Sequence, residues 1–132
     1  LVLVDVQFLG YVLDDDLPGL LHGADIFCAP ATHAESFGRV LVESMAAGLP
    51  VVAAANAGYA GVLAAHPGNL LVPPGDDRAL ASALQVLAAA PAYRLELGAR
   101  NIQGSQRYSW NSVGAAVLRV YERALRVLRR KT

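Results

Sequence analysis

Two short apolar runs, Ala24-Asp-Ile-Phe-Cys-Ala29 and Val51-Val-Ala-Ala54, bracket one helical stretch at residues 36–47. Apart from Asp25 neither run alternates with polar residues. Each therefore asks for cover on both faces, as the strands of a parallel sheet do. Parallel neighbours need a crossover segment between them, and the helix supplies it. Pro30 closes the first run, Gly48 stops the helix, and Pro50 opens the second run.

The same alternation runs through the rest of the chain. Leu3–Leu9 reads as a strand ending at Gly10. Asp14–Asp16 open a helix to about His22, with Pro18 in its first turn. Asn56–Gly61 is a Gly-rich turn that opens a short helix to about Ala65. Asn69–Val72 is a short strand closed by Pro73-Pro-Gly. Asp76 and Asp77 cap a helix over residues 78–90, and Pro91 starts another to about Gln106. After a turn at Tyr108-Ser-Trp-Asn, an amphipathic helix spans Ser112–Arg130. Its apolar positions Val113, Val117, Val120, Tyr121, Leu125 and Leu128 fall near helical spacing. The expected fold is α/β, a Rossmann-like parallel sheet with helices on both faces. Ligands of such sheets sit at the carboxyl ends of the strands, and the loop after strand 24–29 is such an end.

Composition narrows the class. A chain of 132 residues can bury one core, and 55% hydrophobic residues with mean hydropathy +0.37 exclude a disordered chain. The formal net charge is zero, so no whole-chain field draws in nucleic acid. Cys28, the one cysteine, cannot form an internal disulfide. The start, Leu1-Val-Leu-Val-Asp-Val, has no Met and no positive n-region and is too short to span a bilayer. These features suggest a piece of a longer, cytoplasmic protein.

The loop and helix between the first two runs carry the chemistry. Residues 35–43 read Glu-Ser-Phe-Gly-Arg-Val-Leu-Val-Glu. A helix starting near Ser36 would aim free backbone N–H groups at a ligand before it, which suits an anion. Gly38 would let that ligand approach the backbone. On one continuous helix Glu35 and Glu43 would stand about 12 Å apart. That separation matches the sugar-to-ribose span of a nucleotide-diphosphate sugar. Equally, Glu35 and Ser36 could cap a core helix and Glu43 could be a solvated helix residue.

Embedded in its flanks, this segment resembles the donor-site signature of family 4 retaining glycosyltransferases of the GT-B fold. The likeness rests on Pro30, on Glu35 to Glu43 and on Ser44-Met-Ala-Ala-Gly-Leu-Pro-Val-Val-Ala-Ala54. Phe8-Leu-Gly, Ala24–Pro30, Leu70-Leu-Val-Pro-Pro and Tyr108-Ser-Trp extend it over nearly the whole chain. Residues 29–54 are most similar to bacterial mannosyltransferases acting on phosphatidylinositol and related acceptors. The resemblance implies the C-terminal, nucleotide-sugar-binding half of GT-B over residues 1–132, ending in the long helix at about 112–130.

By the same resemblance, Glu35 is the catalytic-side carboxylate, binding donor hydroxyls and steadying charge near the anomeric carbon. Ser36, Phe37, Gly38 and Arg39 face the donor sugar and diphosphate, largely through backbone N–H groups. Glu43 takes the two ribose hydroxyls. Gly10, Tyr11 and Val12 flank the nucleobase. No metal and no cofactor are required, the donor itself being a substrate. A hexose, mannose from GDP-mannose or else glucose from a UDP donor, would pass to an acceptor hydroxyl. The acceptor, a sugar or lipid, would bind through an N-terminal domain that precedes residue 1, and the Arg and Lys that clamp the diphosphate would come from the first strand–helix unit of this domain, also before residue 1. The fragment alone would then be inactive. A non-catalytic module binding sugar nucleotides is the alternative. Where the family often has Gly-Gly-x-x-Glu, this chain has Asn56-Ala-Gly-Tyr-Ala-Gly, without an acid, which leaves that turn with no assigned role.

Other residues carry plainer expectations. Asp14-Asp15-Asp16 reads as a helix cap rather than a metal site. His33 either touches donor or acceptor or is a solvated loop histidine. His22 and His66 read as surface positions. Cys28 reads as a buried, inert thiol. Tyr108 and Trp110 are expected to pack the last helix onto the sheet. The basic tail, Arg123, Arg126, Arg129, Arg130 and Lys131, is a solvated helix end or a peripheral contact with anionic lipid at the inner face of the plasma membrane.

Overall fold

The computed structural model describes residues 5–33 and 35–129. Three parallel strands, β1 (Phe27–Ala29), β2 (Val51–Ala54) and β3 (Leu70–Val72), form a sheet in that order. Phe27 lies opposite Val51 and Ala29 opposite Ala53; Val52 lies opposite Leu70 and Ala54 opposite Val72. The helices are α1 (Leu17–His22), α2 (Arg39–Ala46), α3 (Ala57–Leu63), α4 (Asp77–Ala88), α5 (Pro91–Ser105) and α6 (Trp110–Arg129), with a 3-10 turn at Gln106–Tyr108.

Successive residues of β2 face opposite layers. Val51 and Ala53 pack with Leu41 and Met45 of α2 and Tyr59, Val62 and Leu63 of α3. Val52 packs on the other face with Val72 and with Leu87 of α4. All four β2 residues are buried, which explains why that run does not alternate. Each fully buried Leu, Met or Val adds about 1.5–3 kcal/mol of transfer free energy, so β2 and α2 hold the centre. The expected helix-covered α/β sheet is present.

The structure differs from expectation in several places. Residues 5–9, the described part of the strand expected at Leu3–Leu9, are unpaired coil with Phe8 92% exposed. Strand propensity needs a pleated neighbour to act on, and no described strand lies against them. The aspartates at 14–16 form a turn, and Asp16, the residue before α1, makes no side-chain cap. Helix α2 begins at Arg39, not near Ser36, because Gly38 takes a left-handed conformation (φ +89°, ψ +55°) that no α-helical residue adopts. His66 is buried, not on the surface, since Gly104 has no side chain to fill its place. Trp110 is 87% exposed and packs no helix onto the sheet; only Tyr108 does so, half-buried against the α2–α3 core.

Cys28 is half-buried, and burial pushes its thiol up. Arg123 and Arg126 are exposed on α6. The side chains of Leu128 and Arg129, and all of Arg130 and Lys131, lie outside the described residues. No described helix is long and apolar enough to cross a membrane.

Candidate donor site

The site is built where β1 hands over to α2. The chain leaves the sheet at Ala29, turns through the loop before Glu35, and enters α2 at Arg39. Glu35 through Val40, together with Glu43, line one open cavity of about 570 Å³. Adjacent residues share a cavity by connectivity alone; the informative pairing is Glu35 on the loop with Glu43 one turn into the helix. Because α2 starts four residues after Glu35, the spacing of about 12 Å expected along a continuous helix does not apply. The two acids face one hollow from a turned loop and a helix.

Glu35 Oε1 accepts a hydrogen bond from the Ser36 N–H at 3.1 Å, a local contact that orients the carboxylate. Glu43 lies 3.9 Å from Arg39 Nε, with the two side chains 41% and 87% exposed. A pair so wet contributes little, so Glu43 can exchange it for other donors at small cost. The Leu41 N–H donates to the Gly38 carbonyl at 3.0 Å, while Arg39 and Val40, whose N–H groups open the first turn of α2, line the same hollow. Together they offer two acceptors for hydroxyls and a donor-lined end for an anion.

The loop is held on two sides. Phe37 meets Tyr108 edge-on, with ring centroids 5.8 Å apart. The Tyr108 hydroxyl in turn lies 3.2 Å from His66 Nε2. Burial, and then the Arg107 charge, lower the His66 pKa, so that ring stays neutral. From below, a Cβ on Gly38 would stand 2.5 Å from the Tyr59 ring, so Gly38 is needed for packing as well as for its left-handed φ. Asn56 caps α3 by accepting from the Tyr59 N–H at 3.0 Å, and donates to the Ala31 carbonyl at 3.3 Å.

The remaining expected residues lie apart. His33 is exposed, Tyr11 is 86% exposed and Val12 is half-buried, and neither His33 nor Gly10–Val12 lines the cavity of Glu35. Asn56, Gly58, Tyr59 and His66 were not foreseen around the site. An Asn three residues before a helical Tyr was a readable cap; nothing in the sequence marks Gly58 or the ring of Tyr59 as touching this loop.

Residues 1–103 match the sequence profile of Glycosyl transferases group 1. The phosphatidyl-myo-inositol mannosyltransferase of Mycobacterium leprae is 42% identical over 117 residues, covering 89% of this chain and 31% of that protein. The D-inositol 3-phosphate glycosyltransferase of Kineococcus radiotolerans is 39% identical over 110 residues, 77% of this chain and 25% of that one. Among solved structures, sucrose-phosphate synthase from Thermosynechococcus elongatus superposes with a TM-score of 0.83 at 30% identity, over 92% of this chain and 30% of that one. Anabaena HepE in complex with UDP and glucose gives 0.79 at 26% identity, over 88% and 31%. The chain thus spans under a third of the length of each of these relatives.

Proposed function

This chain belongs to the group 1 glycosyl transferases, with the α/β architecture of a GT-B domain, and on that basis we propose that it is the donor-binding half of a family 4 retaining glycosyltransferase. The reaction would move a hexose, mannose from GDP-mannose, onto an acceptor hydroxyl. One observation carries this reading: Glu35 and Glu43 share a single cavity at the start of α2.

In this reading Glu35 accepts hydrogen bonds from donor-sugar hydroxyls and stabilises positive charge at the anomeric carbon. The backbone N–H groups at Phe37, Gly38 and Arg39 receive the negative charge that builds on the departing diphosphate. Ser36 borders the sugar. Glu43 releases Arg39 and accepts both ribose hydroxyls, as one carboxylate can. Gly10, Tyr11 and Val12 flank the base, and His33 borders donor or acceptor. No metal is assigned a role. The acceptor, a sugar or lipid, would be held outside these residues, and the protein would work in the cytoplasm, with peripheral contact to the inner membrane face.

Mannose is favoured by the names of the mycobacterial relatives. A UDP-glucose donor is the second reading, since HepE has been crystallised with UDP-glucose. Calorimetry on the full-length protein with GDP and with UDP separates the two; tighter UDP binding would reject the GDP reading. Glu43→Ala should weaken nucleoside diphosphate binding at least about tenfold, as loss of a charged hydrogen-bond partner predicts. Glu35→Gln should abolish transfer while the nucleotide still binds. Transfer undiminished in Glu35→Gln would sink the role given to Glu35, whereas nucleotide binding without any transfer by the native full-length protein would leave a binding module.

A further inference from the structure

The turn Asn56–Gly61 carries no charged side chain, yet it touches the cavity loop at two backbone positions. A Cβ on Gly58 would lie 2.3 Å from the Glu35 carbonyl oxygen and 3.0 Å from the Phe37 nitrogen. The first turn of α3 therefore rests directly on the backbone of Glu35, with no side chain between. One residue later, the buried Tyr59 ring fills the space that Gly38 leaves open. Asn56 anchors this turn to the loop behind β1 through Ala31. Glu35 and Gly38, the two ends of the loop, are thus both braced by neighbouring residues of α3.

We propose that Gly58 and Tyr59 are positioning residues for Glu35: the bare helix turn and the buried ring set where the Glu35 carboxylate stands in the cavity. This rests on Glu35 acting at the donor sugar, as proposed above. Neither residue lines the cavity, so each acts through the loop. Burial, then the negative charge of Glu35, raise the Tyr59 pKa, so at neutral pH the ring braces the loop as an uncharged phenol. Misplacing a reacting group by about 1 Å costs on the order of a hundredfold in rate. Glu43 stands on α2, away from the braced loop, so nucleotide binding, which the loop reaches only through the Phe37 and Gly38 N–H groups, should fall less than the rate.

The test uses the full-length protein, with kcat, donor KM, GDP affinity and thermal midpoint measured for each variant. Tyr59→Phe keeps the ring and should stay within about threefold of the native kcat. Tyr59→Leu and Gly58→Ala should lower kcat at least about tenfold with GDP affinity changed less than about threefold. A kcat that falls only with the folded fraction, or GDP affinity falling as far as kcat, would overturn the proposal. If Gly58→Ala does not fold, the comparison of Tyr59→Leu with Tyr59→Phe decides. Glu35→Gln separates the two claims. If it leaves transfer intact, the role given to Glu35 at the donor sugar fails. If it abolishes transfer while Tyr59→Leu and Gly58→Ala keep native kcat, the positioning role alone fails.

Discussion

His66 shows how one buried side chain couples stability to pH. Its ring is packed against Gly104 and beside the Tyr108 hydroxyl, and burial with the nearby Arg107 charge lowers its pKa from 6.5. Above the unfolded value both states are neutral, and the full stability is present. As pH falls below about 6.5 the unfolded chain takes up a proton that the fold refuses, so stability drops, by at most about 1.4 kcal/mol per pH unit, until the folded ring also titrates. Urea unfolding at pH 7.5 and 5.5 should show a larger loss for the native chain than for His66→Gln. Equal losses in both would mean that the ring does not resist protonation. The sequence around this residue, His-Pro-Gly-Asn, announces a turn, and turns are normally wet. What buries it is a glycine 38 residues downstream, a pairing that no local pattern encodes. Glu35 and Glu43 were legible for the opposite reason: their spacing and flanks are local, although the left-handed Gly38 that turns the loop was not read as a helix boundary.

Among the elements, α5 packs closely on the turn that follows α2. A Cβ on Gly98 would fall 2.2 Å from the Gly48 carbonyl oxygen, backbone against backbone. Beside it the buried Asn101 donates to the Leu49 carbonyl at 2.7 Å and bonds the Asn69 amide at 2.9 Å. Gly98→Ala should therefore force α5 away and cost about 2–3 kcal/mol, as overpacking does, read as a lower urea midpoint. An unchanged midpoint would show that the helix shifts freely. Strand β2 and helices α4 and α5 were readable to within two residues, because Pro50, Asp76 and Pro91 mark their starts. Strand β1 proved shorter than its apolar run, since only Phe27–Ala29 meet a partner. Helix α6 followed its periodicity, yet Val117, Val120, Tyr121 and Leu125 are exposed. Periodicity reveals that a face is apolar, not what covers it.

At the scale of the whole molecule, the described surface keeps an apolar string, Val6, Phe8, Leu9 and Leu13, each at least half exposed, near the start of the chain. Strand β1 is an edge of the sheet among the described residues. Exposed apolar patches and open strand edges promote association. The 132-residue chain on its own should self-associate with rising concentration in light scattering, and Phe8→Lys with Leu9→Lys should reduce that. A native chain that stays monomeric throughout would contradict the expectation. The Gly48–Gly98 abutment has a mechanical corollary. It seats the chain just beyond the far end of α2, a rod about 12 Å long, against a fifteen-residue neighbour, while the near end at Gly38 rests on the Tyr59 ring. Held at both tips, the rod should meet a guest as a fixed wall rather than a yielding one.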